Sequence, residues 1–459
     1  MRHRSILLAA AAVVAAACSD SAGYTEREVG SVPSTTAEVG AAAAEDAGAP
    51  ATTAEPSNPA APTPGVPSGE PIVDGAANSL VIVHDRDGGA DALASYRADG
   101  TKVATYSTDE DAIIWQPIWS PDGRRLAWTS SPDGTTWELV TASVDGADHS
   151  THPLPGRPDY ITFDPTASSV LALTPSPDGF GVVIVDLAND SDDAGDAPFA
   201  LIDLGLPYYS DFSPQGDRLV SHVATDMRIV DVDGGLEPLG FVSGGHQAPA
   251  WHPTDDIVYF TAESDERRGL VAYDLATGSI AELASFEQFV LFDIADTGDH
   301  LAVASFAPVD PDAVNALRGA PASATPTSLT RGLWIVNTAD RTTRRLSGEP
   351  TVAPMFDPTG SRVLVRTAFA GLGQWDVYDL DGNRTSTAMF DVDDTLLTGY
   401  LPFWDQYVRS QTLWSPDGRY FTHVGASQSG ESGVWIHDAT TSGASSFLVE
   451  GDVAFWSPT

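Results

Sequence analysis

One phrase recurs along most of this chain: an aromatic residue, a small polar or acidic residue, proline, a polar residue, then glycine or another polar residue. A β-rich run follows. Trp119-Ser120-Pro121-Asp122-Gly123 precedes Arg125-Leu126-Ala127-Trp128, and Trp414-Ser415-Pro416-Asp417-Gly418 precedes Tyr420-Phe421. Partial copies begin at Phe163, Phe212, Trp251 and Phe356. A degenerate copy is read at Phe292-Asp293-Ile294, with Gly298 retained, and the last copy, Trp456-Ser457-Pro458-Thr459, ends the chain. Most copies lie about 40–50 residues apart, the period of strand-rich propeller blades. The chemistry of the phrase agrees. Proline has no N–H and stops a β-ladder. Asp-Gly then turns the chain, because Asp bonds its own backbone and Gly accepts positive φ.

Further along each unit comes a third strand ending in an acidic or amide turn. Val182–Asp186, Met227–Asp231, Leu270–Asp274, Leu333–Asn337, Trp375–Asp379 and Val434–Asp438 are examples. Their alternation suits strands with a face on each neighbouring sheet. A more polar fourth strand follows, as at Thr343–Leu346.

These residues resemble the TolB-type, WD-like propeller repeat over residues 79–459. The resemblance implies an all-β propeller of four-stranded blades and, in function, binding of a protein partner in the cell envelope. The separate N-terminal α/β domain of that family is replaced here by a low-complexity segment, so the repeat carries over and the family's partners do not. Residues 79–108 offer three strands without a preceding phrase, while Val453–Trp456 is an inner strand with nothing after it. Sharing one blade between the two ends gives eight blades and closes the ring by strand pairing, which leaves no open inner edge. Seven blades is the alternative, if the N-terminal strands pack elsewhere.

The chain ahead of the repeats reads as an address. Arg2 and Arg4 precede an apolar run, Ile6–Ala17, that is too short to span a bilayer but suits a signal peptide. Cys18, the sole cysteine, follows Ala15-Ala16-Ala17 and resembles the lipidated cysteine of a bacterial lipobox. Residues 1–18 are therefore expected to be a lipoprotein signal peptide. Residues 19–78 are rich in Ala, Pro, Thr and Glu, with Tyr24 as the only aromatic, and are expected to be a disordered tether. Export to the outer face of the bacterial cell membrane follows, with the lipid as the only membrane attachment.

Lys and Arg total 23 against 64 acidic residues, a net charge of −41. Such a surface repels phosphates, so nucleic acid is not an expected partner. One cysteine excludes disulfides and thiolate metal clusters. The motifs G-x-S-x-G, H-E-x-x-H and Walker A do not occur. No catalytic residue, cofactor or metal is assigned. His149-x-x-His152, with Asp145 and Asp148, and the acidic runs Asn189–Asp193 and Asp391–Asp394 read as solvated loops. Ser131-Pro132-Asp133-Gly134 with Trp137 falls one residue short of a sialidase Asp-box and reads as a turn.

Two sets of residues are candidates for binding. Loops entering the inner strands carry Trp115, Gln116, Tyr160, Tyr208, Tyr209, His246, Gln247, Phe289, Arg409 and Gln411, and should converge at the mouth of a central channel. An insertion, Asp391–Ser410, places Tyr400, Phe403, Trp404 and Tyr407 in eight positions. It is read as a partner platform on the rim, or as a small satellite core over its own blade. A second insertion, Ala307–Arg331, lies between the second and third strands of its unit. The expected function is that of a monomeric, non-enzymatic envelope lipoprotein binding a protein, peptide or polysaccharide. An exported propeller hydrolase or lyase acting on envelope glycans is the alternative, and would bring carboxylates or an Arg/His cluster together in the channel.

Overall fold

In a computed structural model, residues 80–85, 92–107, 112–188, 198–243, 247–264, 267–286, 290–305, 328–369, 372–391 and 395–459 are described. The signal peptide, Cys18 and the tether lie outside them. Their regular secondary structure is almost entirely antiparallel strand.

Each phrase does what its chemistry requires. In the first unit the inner strand Ile113–Trp119 ends at the phrase, Arg125–Ser131 returns beside it, and Trp137–Ser143 and His149–Leu154 complete the sheet. The Ser120 hydroxyl accepts the Arg125 amide at 2.9 Å and donates to Asp122 at 2.7 Å, while the Gly123 amide closes the turn on Ser120 O. Ser213 and Ser415 repeat the arrangement with Arg218 and Tyr420. Asp164 and Asp357 serve in the same place, taking the Ser169 and Arg362 amides. The aromatics Trp119, Phe163, Phe212, Trp251, Phe356, Trp414 and Trp456 are all buried between sheets.

The degenerate copy sits two residues later than the sequence suggests. The Gly298 amide turns back to Ala295 O, as Gly123 does to Ser120 O. Ile294, not Phe292, therefore occupies the aromatic position. A missing Pro and an aliphatic residue in the aromatic slot disguised the register.

The later units begin with inner strands Tyr160–Phe163, Tyr208–Phe212, Ala250–Trp251, Val290–Ile294 and Thr351–Phe356. In the seventh unit the inner strand shrinks to a bridge between Trp414 and Phe421. The eighth sheet joins the chain ends: Val453–Trp456 pairs antiparallel with Leu80–Asp85, Val81 opposite Trp456 and His84 opposite Val453. Phe390–Asp391 links the sixth and seventh units into one larger sheet, so that six sheets of four or five strands and one of eight account for eight units. Ser328–Leu329, at the end of the second insertion, adds a parallel fifth strand to the preceding sheet.

Contacts pass from each unit to the next. Gln116 Nε2 donates to Asp159 O, and the Tyr208 hydroxyl to Asp203 at 3.0 Å. The Trp251 amide reaches Asp211 at 2.7 Å, Gln247 Nε2 reaches Val290 O at 3.0 Å, and the Phe356 amide reaches Asp293 at 2.8 Å. Trp414 Nε1 donates to Met355 O, Thr422 to Ala454 O, and Trp119 Nε1 to Phe455 O, which returns to the first unit. The inner strands thus surround one axis. They begin at one end of it, the leading mouth, and finish at the other, the trailing mouth.

Candidate functional site

The aromatic insertion fills the axis. After Asp391 the described chain resumes at Thr395 and makes short turns over Leu396–Tyr400 and Leu401–Phe403, then one helical turn, Trp404–Tyr407. Tyr400, Trp404 and Tyr407 are buried, whereas Phe403 is 45% exposed. The neighbours of this short segment come from all around the ring. Tyr400 packs on Trp115 of the first unit (ring centroids 5.8 Å apart) and on Phe455 of the eighth (5.6 Å). Tyr407 packs edge-on to Tyr160 of the second at 5.7 Å. Gln406 clamps the backbone of Ser210 in the third unit, accepting from its amide and donating to its carbonyl, both at 2.8 Å. Asp405 accepts the Ala248 amide at 2.5 Å, Arg409 pairs with Asp293 at 3.1 Å, and Trp404 Nε1 donates to Pro354 O at 3.1 Å. Contact with inner strands, or the loops entering them, on so many units places the segment on the axis. It is neither a rim platform nor a satellite core over its own blade.

Two inner strands are reshaped to receive it. The ladder slips between Trp115 and Ile118 and again between Val352 and Met355. Gln116 and Ala353 take positive φ, 52° and 54°, as bulges allow. A proline follows each and sacrifices no ladder donor. The carbonyls of Pro117 and Pro354 then accept from Gln411 and Trp404 of the plug.

The plug buries charge. Asp211, Asp293 and Asp405 all lie within the electrostatic reach of Arg409. Burial raises all three carboxyls; Asp293 and Asp405 are pushed up to about 6, despite the opposing pull of Arg409 and of backbone amides. Asp211 and Asp293 occupy equivalent positions in their units, one residue before the end of the inner strand, and each accepts the amide of the next unit's Trp251 or Phe356.

At the leading mouth the plug and the ring form a cleft of about 510 Å³. Trp115, Tyr160, Tyr208 and Tyr209 come from the ring, and Phe403, Gln406 and Tyr407 from the plug. Phe180, Leu206, Arg157 and Asp159 complete the wall. Burial raises the Asp159 carboxyl, with Arg157 opposing. Leu206 and Phe403 are exposed apolar side chains on this cleft.

The predicted residues therefore divide. Trp115, Tyr160, Tyr208, Tyr209, Phe403 and Tyr407 line the cleft, while Gln116 lies behind it, bonded to Tyr407. Tyr400 and Trp404 anchor the plug. Gln247 is spent between units, bonded to Val290 O and Thr261. Arg409 and Gln411 lie toward the trailing mouth. His246 and Phe289 lie outside the described residues. Reading the sequence missed Asp405 and Gln406, which carry no motif, and the paired roles of Asp211 and Asp293, which a correct register of the degenerate copy would have aligned. Among the described residues no group of three or more His, Cys, Asp or Glu side chains could hold a metal ion. Asp133 accepts the Thr135 and Thr136 amides in a plain turn.

No family model matches this chain, and no curated protein does. Among solved structures it is similar to a eukaryotic initiation factor (13% identity, TM-score 0.50, covering 83% of this chain and 98% of that one). It is also similar to TolB from Acinetobacter baumannii (16%, 0.38, 67% and 63%) and to an oligogalacturonate lyase from Vibrio parahaemolyticus (10%, 0.41, 79% and 82%). The chain thus spans 63% of the length of that TolB. At 13% identity the likeness to the initiation factor speaks for architecture alone. With its sheets ringed about one axis, the chain is a β-propeller.

Proposed function

We propose that this is a non-enzymatic binding protein of the bacterial cell envelope, anchored through a lipid on Cys18, which captures a protein, peptide or polysaccharide partner in the aromatic cleft. The observation that carries the reading is the cleft itself. Aromatic side chains from three successive units and from the plug line one concavity, and the plug holds them in place before any ligand arrives. Rigid aromatics present contact area at low entropic cost, a property of binding hot spots. Leu80, where the described chain starts, neighbours the end of the strand holding Trp456. Leu80 thus lies toward the trailing side, away from the cleft. Among the described residues no helix is long and apolar enough to cross a membrane.

Thermal-shift screening of the exported domain with envelope glycans and peptides tests this, since a ligand raises the melting temperature by mass action. A hit abolished by Phe403→Ala supports the proposal. A screen in which no hit depends on Phe403 or Trp115 would overturn it.

One observation favours the alternative of a glycan hydrolase or lyase: Asp293 and Asp405, with carboxyls near 6, meet Arg409 on the axis. Their oxygens, however, accept the Phe356, Ile294 and Ala248 amides, the work of a clamp rather than of a proton shuttle. Glycan cleavage that disappears in Asp405→Asn, with the fold intact, would restore the enzymatic reading.

A further inference from the structure

The cleft at the leading mouth holds two charges that the fold leaves unspent. Arg157 and Asp159 both line it, and both are exposed. Among the described residues neither side chain has a hydrogen-bond or ion-pair partner, and the Arg157 guanidinium only stands over the Trp137 ring, 5.9 Å from its centroid. The backbone between them is nonetheless fixed. The Asp159 carbonyl accepts from Gln116 and from the Tyr407 hydroxyl, so the ring and the plug hold this loop from behind. An opposite pair of charges is thus presented at a set place with nothing to neutralise it.

The same cleft offers apolar surface within a ligand's reach. Leu206, at 65% exposed, is the most exposed large hydrophobic side chain among the described residues, and Phe403 is 45% exposed. Trp115 and Phe180 are half-buried. The four tyrosines that line the cleft are buried and serve as its floor. Its volume of about 510 Å³ lies within the range of small-molecule sites, about 300–1,000 Å³.

The chemistry of the ligand follows from these three features. A neutral glycan would cover both charges and supply a counterpart to neither, which costs free energy. A free amino acid or dipeptide with a large apolar side chain carries all three complements in one small molecule. Its carboxylate answers Arg157, its ammonium answers Asp159, and its side chain covers Leu206, Phe403 and Trp115. Charge-assisted hydrogen bonds of this kind are the stronger ones, and capture of free peptide ends is a recurring mode of recognition. We propose that the leading cleft takes a zwitterion of one or two residues with a large apolar side chain, oriented by Arg157 and Asp159. The proposal rests on reading this cleft as the capture site, and it names the class of peptide that enters.

The test uses the exported protein with L-phenylalanine and L-leucyl-L-phenylalanine, followed by titration calorimetry. The comparison ligands are the N-acetyl dipeptide, which lacks the ammonium, the dipeptide amide, which lacks the carboxylate, and the doubly capped form, which imitates the interior of a protein chain. At least one free zwitterion should bind, and capping either end should weaken binding at least about tenfold. Asp159→Asn should weaken the free ligand about tenfold and abolish its advantage over the N-acetyl form. Arg157→Gln should do the same for the amide. Both positions are exposed, so an unchanged melting temperature shows that each variant is folded. The proposal is overturned if neither zwitterion binds, if the capped forms bind as well as the free ones, or if the two variants still discriminate between them. A glycan or protein hit that depends on Phe403, with no response to the free zwitterions, sinks this proposal and leaves the cleft as a capture site. The absence of any hit that depends on Phe403 or Trp115 sinks both.

Discussion

The Tyr407 hydroxyl accepts a 2.9 Å hydrogen bond from Gln116 Nε2, across 291 residues of sequence. Gln116 sits at a bulge of the first inner strand and Tyr407 at the end of the plug's helical turn, and both also reach Asp159 O of the second unit. Three distant segments are thus fixed about one carbonyl, just behind the cleft. The plug is therefore part of the core, and it shapes the surface that a ligand meets.

The clearest consequence concerns Gln406. Its amide satisfies both backbone groups of Ser210. Gln406→Leu leaves a buried N–H and C=O unpaired and should destabilise the domain by about 2–6 kcal/mol, at about 1–3 kcal/mol per orphaned group. Denaturant unfolding measures this. A loss below about 0.5 kcal/mol would show that the clamp does not hold the plug.

Neighbouring aromatics should separate stability from binding. Trp404 is 2% exposed and packs on Trp375, so Trp404→Ala should cost about 3–5 kcal/mol. Phe403, at 45% exposed, should cost within about 0.5 kcal/mol when changed to alanine, and should instead weaken ligand capture at the leading mouth. Paired thermal melts and binding assays on the two variants give the contrast.

Asp293 and Asp405 set a pH dependence. Their folded carboxyls lie near 6, above the ordinary value of 3.8. A raised folded pKa means the native state binds protons more tightly than the unfolded chain. The stabilisation is then complete below pH 3.8 and lost as pH rises through about 6. Over pH 5 to 7.5 these two groups should make the melting temperature fall, and Asp405→Asn should flatten the slope. A melting temperature rising over that window, with the slope unchanged in Asp405→Asn, would contradict the burial described here.

Two turn glycines should respond differently to alanine. Gly134 and Gly298 both have positive φ, 72° and 74°. A Cβ on Gly134 meets nothing within 4 Å, so Gly134→Ala should cost only the left-handed backbone penalty, about 1–2 kcal/mol. On Gly298 it would lie 2.1 Å from His252 Nε2, and the variant should lose clearly more. Equal losses in equilibrium unfolding would mean that the fifth and fourth units do not meet at this turn.

Much of the ring was legible in the sequence because each repeat encodes its own hairpin. Trp119-Ser120-Pro121-Asp122-Gly123 states an inner strand, a stop and a turn within five residues, and local chemistry enforces it. The register failed at Ile294, where an aliphatic residue does the packing of an aromatic and no proline marks the stop. Of the candidate residues, Trp115, Tyr160 and Tyr208 were readable because they lead directly into inner strands.

The sequence by itself determined the strands, their turns and the period, since these depend on neighbours a few residues away. Only the tertiary structure decided that Tyr400, Trp404 and Tyr407 lie on the axis and pack against the ring. An amphipathic aromatic run buries itself wherever a complementary cavity exists, and that cavity is made by inner strands hundreds of residues apart. The buried charges follow the same rule, because Arg409 and Asp293 have no local reason to meet until the ring brings them together.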